Sequence, residues 1–178
     1  MEPDRGAVTY GIEIAGTPLA MLTEAERQPV RAYETLRLYW QLDADQQIRR
    51  FHRHLAPSLI RLALTLDHPE VATAVDAVEE AAALATDVPS MRAVARRCRG
   101  LVGGDPKTML EAVELVQLGP RVLDQVATLE DAARVLASAG RTTGARAALH
   151  RELPHSGDQL WQTAPGVISP SSLLRRRS

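Results

Sequence analysis

Residues 67–85 of this chain read DHPEVATAVDAVEEAAALA, and residues 105–116 read DPKTMLEAVELV. In both stretches an aspartate and a proline precede a run in which apolar residues recur at helical spacing. Aspartate accepts hydrogen bonds from the N–H groups left unpaired at the start of a helix, and proline loses no bond in the first turn. The two stretches therefore predict two helices that begin in the same way.

Helical spacing of apolar residues continues on both sides of these stretches. Gly103-Gly104 and Gly140 end such runs, as glycine does where a helix stops, and Pro57 is expected to break or kink another. Alternation in residues 8–14 predicts at most a short N-terminal strand. The sequence thus predicts six to eight helices, and the further helical segments are 30–42, 46–55, 58–66, 91–102, 122–136 and 143–153.

The turn signals recur along the chain at a nearly constant interval. Asp67, Asp105 and Gly140 lie 38 and 35 residues apart, close to the period of about 34 residues of tetratricopeptide helix pairs. A single pair cannot bury its apolar face, so neighbouring pairs must stack. The prediction is an all-α fold of stacked antiparallel helix pairs of tetratricopeptide-like type. Its expected interior residues are Leu64, Val75, Val78, Val94, Cys98, Leu101, Leu110, Val113, Val126, Leu129 and Leu136.

Three segments follow from this pattern. Residues 1–23 contain several turn-forming glycines and two prolines, and are predicted to form an irregular N-terminal arm. Residues 24–153 form the helical domain. Residues 154–178 are rich in proline, serine and glycine, end in three arginines before the last serine, and are predicted to form a flexible tail.

Composition limits the classes of function. The 178 residues carry a net charge of −1, so the chain lacks a general field that would collect nucleic acid. Its basic clusters, Arg49–His54 and Arg175–Arg177, are short, and no sequence-specific nucleic-acid binding by this chain alone is expected. No apolar run is long enough for a membrane span. Cys98 is the only cysteine, which excludes an internal disulfide and favours the cytoplasm.

No catalytic group, metal site or cofactor is predicted. His52 and His54 are two residues apart, so they point to different sides of a helix, whereas paired helical ligands lie three or four apart. Cys98 falls in an apolar stripe, where a core position is the expected one. Residues 103–108 read GGDPKT, which lacks the spacing of a phosphate-binding loop, and their proline removes an N–H donor.

Two functions from different classes remain open. One is a non-enzymatic module that binds a protein partner or itself, anchored by Tyr33, Leu36, Tyr39 and Trp40, since aromatic side chains anchor interfaces; these residues could equally cap the core. The other is a small-molecule site or cofactor-independent enzyme between helices. It requires a closed pocket of about 300 Å³ or more, and the candidate polar residues for it are Tyr39, Arg50, His54 and Arg97.

Four stretches carry a resemblance to a known family: residues 55–64 (LAPSLIRLAL), 97–106 (RCRGLVGGDP), 110–113 (LEAV) and 129–133 (LEDAA). In this order the chain resembles the helical region of large LuxR-type transcriptional regulators of GC-rich bacteria. The resemblance implies a tetratricopeptide-like segment that serves transcription regulation. The ATP-binding and helix-turn-helix domains of that family have no counterpart here, so it implies a fragment, or a stand-alone copy, of the sensor and coupling region.

Overall fold

The structure, a computed structural model, describes residues 16–45, 52–69 and 71–150. Throughout these ranges the regular structure is α-helical, without a strand, which confirms the predicted all-α class. The possible strand in residues 8–14 and the tail at 154–178 lie outside them. The helices are α1 (16–25), α2 (Pro29–Asp45), α3 (His52–Thr65), α4 (Val71–Leu84), α5 (Pro89–Gly103), α6 (Pro106–Val116), α7 (Val122–Ser138) and α8 (Thr142–Leu149).

The predicted N-terminal arm is wrong in its last third. Residues 16–23 belong to α1, although Gly16 and Pro18 were expected to interrupt regular structure. Pro18 lies in the first described turn of the helix, where a missing N–H removes no helical bond. Gly16 has a packing role, because a Cβ atom there would lie 2.6 Å from Cδ2 of Tyr39 on α2. The helical domain therefore includes residues that the sequence assigned to the arm.

Pro57 does not end a helix. It is buried inside α3, which continues to Thr65. The described part of α3 begins at His52, so Pro57 lies in its second turn and removes one backbone bond near the start of the helix. A proline so close to the beginning of a helix is tolerated better than one at its centre.

One turn joins the two helices of every pair in the described chain. Each turn contains one residue with a positive φ: Arg27 (61°), Asp67 (53°), Gly104 (57°) and Gly140 (74°). These residues are spaced 40, 37 and 36 positions apart. In each turn the next N–H bonds back to the carbonyl five residues earlier, which is the Schellman arrangement. These bonds are Gln28 N to Thr23 O (3.1 Å), His68 N to Ala63 O (2.8 Å), Asp105 N to Gly100 O (3.1 Å) and Arg141 N to Leu136 O (2.8 Å).

The second helix of the third pair begins as the sequence predicts. Asp105 caps α6 by accepting hydrogen bonds from the backbone N–H groups of Lys107 (3.0 Å) and Thr108 (3.1 Å), and Pro106 follows at the first helical position. The side-chain hydroxyl of Thr108 also donates to Asp105. These bonds lower the pKa of the Asp105 carboxyl, the Thr108 side chain having the largest effect.

Packing extends from pair to pair. From α2 onward, each helix contacts the next in sequence, and α3 also packs on α5 and α5 on α7. The odd-numbered helices from α3 to α7 therefore lie side by side in one layer. A large apolar cluster joins α1 to α5 through residues such as Leu36, Ile60 and Val78, whereas smaller clusters join α6 to α7 and α7 to α8.

The predicted interior is confirmed in its main part. Val75, Val78, Cys98, Val113, Leu129 and Leu136 are buried, and Val94, Leu101, Leu110 and Val126 are partly buried. Leu64 is the exception, because 40% of it is exposed. Its neighbours Leu62 and Ala63 occupy the buried face in the last turn of α3, and consecutive residues of a helix point in different directions.

Candidate interaction surface

The four residues proposed to anchor a partner lie on the inner side of α2. Tyr33 and Leu36 are buried in the core, and Tyr39 and Trp40 are partly buried against it. The Tyr33 hydroxyl oxygen lies 2.8 Å from Nδ1 of His68, in the turn between α3 and α4. Tyr33 and Leu36 therefore present no surface to a partner and serve the core, which is the alternative that the sequence left open.

The side of α2 opposite to the core is apolar and exposed, and α1 carries further exposed apolar residues. On α2, Val30, Leu38 and Leu42 follow one another at multiples of four residues, with Glu34 in the same row, and 55% of Leu38 is exposed. Residues four apart share one face of a helix. We call the exposed apolar residues of the first pair the outer face: Leu19, Met21, Leu22, Val30, Leu38 and Leu42.

The outer face concentrates the exposed apolar surface of the described chain. Twelve large hydrophobic residues are exposed within the described ranges, and six of them belong to the first pair, which supplies fewer than a quarter of the described residues. The others are more scattered, and Leu84, Leu118 and Leu123 lie at or beside the connections between pairs. Single exposed leucines are common in proteins, whereas clustered ones mark contact surfaces.

The last pair has a different character. The exposed side chains described on and beside α8 are polar or small: Thr142, Thr143, Arg146, Ala147 and His150. The buried side of α8 consists of Ala145 and Ala148, packed near Ala133 and Leu136 of α7.

A buried ion pair fixes α5 to α7. Arg97 is 8% exposed and Asp131 only 1%, and the Arg97 Nε donates a hydrogen bond of 2.7 Å to Asp131 Oδ2. The other carboxylate oxygen accepts a bond of 2.5 Å from Arg134 in the next turn of α7. Two charges removed from water are tolerated when they pair closely and their remaining bonding capacity is filled. Arg97, predicted as a ligand residue, is thus occupied by Asp131.

A second ion pair joins α1 to α3 and interacts electrostatically with the first pair. Both carboxylate oxygens of Glu24 accept hydrogen bonds of 2.5 Å from Arg61. This bonding raises the pKa of Arg61 and lowers that of Glu24. Asp131 and Glu130 add to the rise at Arg61, and Arg134 adds to the fall at Glu24. The two pairs therefore form one charged cluster along the odd-numbered helices, and sequence reasoning identified only Arg97 in it.

His54 is held as a neutral side chain. Its Nε2 lies 2.9 Å from Nε of Arg53, which donates to it, and 3.2 Å from Nη1 of Arg121. Burial lowers the pKa of His54 to about 4, and the charges of Arg121 and then Arg53 act in the same direction, while Asp124 opposes them. With two arginines at Nε2, that nitrogen is an acceptor, so the ring carries its proton at Nδ1.

Of the four residues proposed for a small molecule, the three that the structure describes are engaged in separate contacts. Tyr39 packs against Gly16, His54 contacts Arg121, and Arg97 binds Asp131, while Arg50 lies outside the described residues. A groove of about 240 Å³ contains none of them, and its lining residues are Glu79, Ala82, Arg92, Ala95 and Arg96. This volume is below the roughly 300 Å³ expected of a ligand site.

Residues 16–45, 52–69 and 71–150 contain one cysteine thiol. Cys98 is fully buried in the core, as predicted, and burial raises the pKa of its thiol to about 12, so it is protonated at neutral pH. These ranges contain no group of three or more His, Cys, Asp or Glu side chains placed to hold a metal ion. Nor do they include a helix with the length and apolarity that a membrane crossing requires.

Comparison with known proteins does not relate this chain to any family. No family model, no curated protein and no solved structure matches the chain.

Proposed function

We propose that this chain is a non-enzymatic helical interaction module that binds a protein partner, or a second copy of itself, through the outer face of its first helix pair. The carrying observation is the apolar row Val30, Leu38 and Leu42 on α2, exposed on the side opposite to the core. Burying one such side chain is worth about 1.5–3 kcal/mol relative to leaving it exposed. A contact that covered the row would therefore gain substantial free energy.

Three further features support a binding role for this module. Three of the described groups that could act chemically are engaged elsewhere: Cys98 is in the core, His54 is held between arginines, and Arg97 is paired with Asp131. Four pairs with the same turn support a stacked architecture of the tetratricopeptide type, and such stacks serve as binding scaffolds. The resemblance to the helical region of LuxR-type regulators adds transcription regulation in a bacterium to the proposal.

Site-specific photo-crosslinking in cells of the natural host tests this function. A photoreactive amino acid replaces Leu38 on the outer face, and a matched variant carries it at Glu114, which is exposed on α6. We expect one adduct of defined mass from position 38 and none from position 114. The second substitution Val30→Glu should abolish that adduct, because it replaces an apolar side chain of the row with a second charge beside Glu34. Equal adduct patterns from positions 38 and 114 would refute the proposed function.

A further inference from the structure

We infer that the outer face binds a second copy of the same chain about a two-fold axis, first pair against first pair. This inference rests on the proposed function and specifies the partner. Its basis is the contrast between the two ends of the described helix stack, the row of residues on α2, and the charge of the surface that contains them.

The contrast between the described parts of the two ends argues against a head-to-tail arrangement. In a head-to-tail contact, the outer face of one copy would cover α8 of the next, and open chains of copies would follow. The exposed side chains described on α8, such as Thr143 and Arg146, are polar and offer no apolar counterpart. A two-fold contact instead brings the same surface from both copies together, so that each apolar row covers the other.

The row on α2 has the geometry that such a contact requires. Val30, Glu34, Leu38 and Leu42 are four residues apart, so they form one ridge about 18 Å long at 1.5 Å per residue. A two-fold axis packs this ridge against its own copy. Ridges of this spacing interdigitate when two helices cross at about −50°, the commonest packing angle of helices in globular proteins. The predicted contact therefore needs no change in the shape of α2.

The charges around the row allow the surface to approach itself. The exposed charged residues described on and beside it are Glu26 and Glu34, with Arg27 and Arg31 of opposite sign. A surface carrying one sign would repel its own copy, whereas a balanced one does not.

The apolar area of the outer face sets the expected affinity of the dimer. The six partly exposed side chains leave on the order of 500 Å² of apolar surface per copy, near the lower limit of stable interfaces. We therefore expect a dimer that dissociates in the micromolar range.

The oligomeric state of the full chain is the first test. Sedimentation velocity between about 1 and 300 µM should show the mass rising from 19.4 kDa toward twice that value. Leu38→Glu should remain monomeric over the same range with an unchanged far-UV circular dichroism spectrum. The matched variant Leu123→Glu, at a leucine that is 82% exposed on α7, should dimerise as the native chain does. A native chain that stays monomeric at 300 µM overturns the inference.

Disulfide trapping tests the symmetry. Because the only native cysteine is fully buried, a new surface cysteine is the one accessible thiol. Under mild oxidation Leu38→Cys should form a covalent dimer with itself, and Thr143→Cys should not. If a mixture of the two variants gives mainly the 38-to-143 disulfide, the contact is head-to-tail and the two-fold arrangement is wrong.

The outcomes separate this inference from the proposed function. A monomeric chain whose position 38 still crosslinks to a different protein in cells would overturn the second copy as partner and leave the proposed function intact. A monomeric chain without any adduct at position 38 would overturn both. If removal of residues 1–15 converted a monomeric chain into a dimer, the chain itself would cover the outer face, which also overturns the inference.

Discussion

Asp131 is a carboxylate with 1% exposure, and its neighbours determine what its loss would do. We expect Asp131→Leu to lower the free energy of unfolding by about 3–5 kcal/mol, because the buried Arg97 charge would lose its partner. The double variant Asp131→Leu with Arg97→Met should regain most of that loss, because two apolar side chains replace the two charges. Urea denaturation of both variants measures the difference. A double variant as unstable as the single one would contradict this account.

An exposed pair provides the control for that cycle. Glu79 on α4 accepts hydrogen bonds from Arg99 on α5, and both side chains are substantially exposed. Exposed ion pairs contribute little, because water and salt screen them. Glu79→Leu should therefore shift the denaturation midpoint far less than Asp131→Leu does.

Because of His54, the free energy of unfolding is expected to depend on pH. Its pKa is about 4 in the folded chain and near 6.5 when unfolded, so the unfolded state binds the proton first. The contribution of neutral His54 is complete above pH 6.5 and is lost as the pH falls from 6.5 to about 4. We expect urea midpoints to decline across this interval in the native chain and to decline less in His54→Gln. Parallel curves for the two proteins would show that His54 is not the group responsible.

At the scale of the helix and its turn, local chemistry predicted three of the four junctions. Gly104 and Gly140 end helices and Asp105 begins one, as the sequence predicts. Asp67 marks a turn in another role than predicted, because it has a positive φ after α3 and the described part of α4 begins only at Val71. The sequence does not predict the first junction, because Glu26-Arg27-Gln28 contains none of the usual turn residues. The contact of Gly16 on α1 with Tyr39 on α2 joins residues far apart in sequence, and no local pattern reveals such packing.

These junctions predict opposite effects on stability when glycine is removed at position 140 and introduced at the equivalent position 27. Left-handed backbone costs a residue with a Cβ atom about 1–2 kcal/mol, and glycine avoids most of that cost. Gly140→Ala should therefore destabilise by about 1 kcal/mol, although nothing lies within 4 Å of the added Cβ. Arg27→Gly should be neutral or stabilising by up to about 1 kcal/mol, since glycine also loses more entropy on folding. Thermal unfolding of both variants measures the pair, and a loss of stability in Arg27→Gly would contradict the explanation.

At the scale of the whole molecule, periodicity predicted the helices but not which side of α2 faces the core. This helix is apolar on both sides, with Tyr33, Leu36 and Trp40 on one and Val30 and Leu38 on the other. Only the position of α3 decides between them, and that is a contact between distant residues.

The sequence contains a signal for the charged cluster, which is the spacing of its oppositely charged residues. Glu24 and Arg61 are 37 residues apart, and Arg97 and Asp131 are 34 apart. Both separations match the period of the helix pairs, so opposite charges one period apart on the odd-numbered helices indicate neighbours in the stack.

The unequal clusters predict where the fold opens first. The large cluster that joins α1 to α5 includes Leu36, Leu55 and Ile60, whereas α8 is held mainly through Ala145 and Ala148, whose side chains bury little area. Local opening needs less free energy where fewer apolar contacts must break. Hydrogen exchange followed by mass spectrometry should therefore show fast exchange in α8 and the slowest exchange in α3 and α4. Leu136→Ala, which removes the largest side chain facing α8, should accelerate exchange in α8 more than in α3. Equal protection of α8 and α3 would mean that the stack opens only as one unit, and that this distribution of apolar area does not control its local stability.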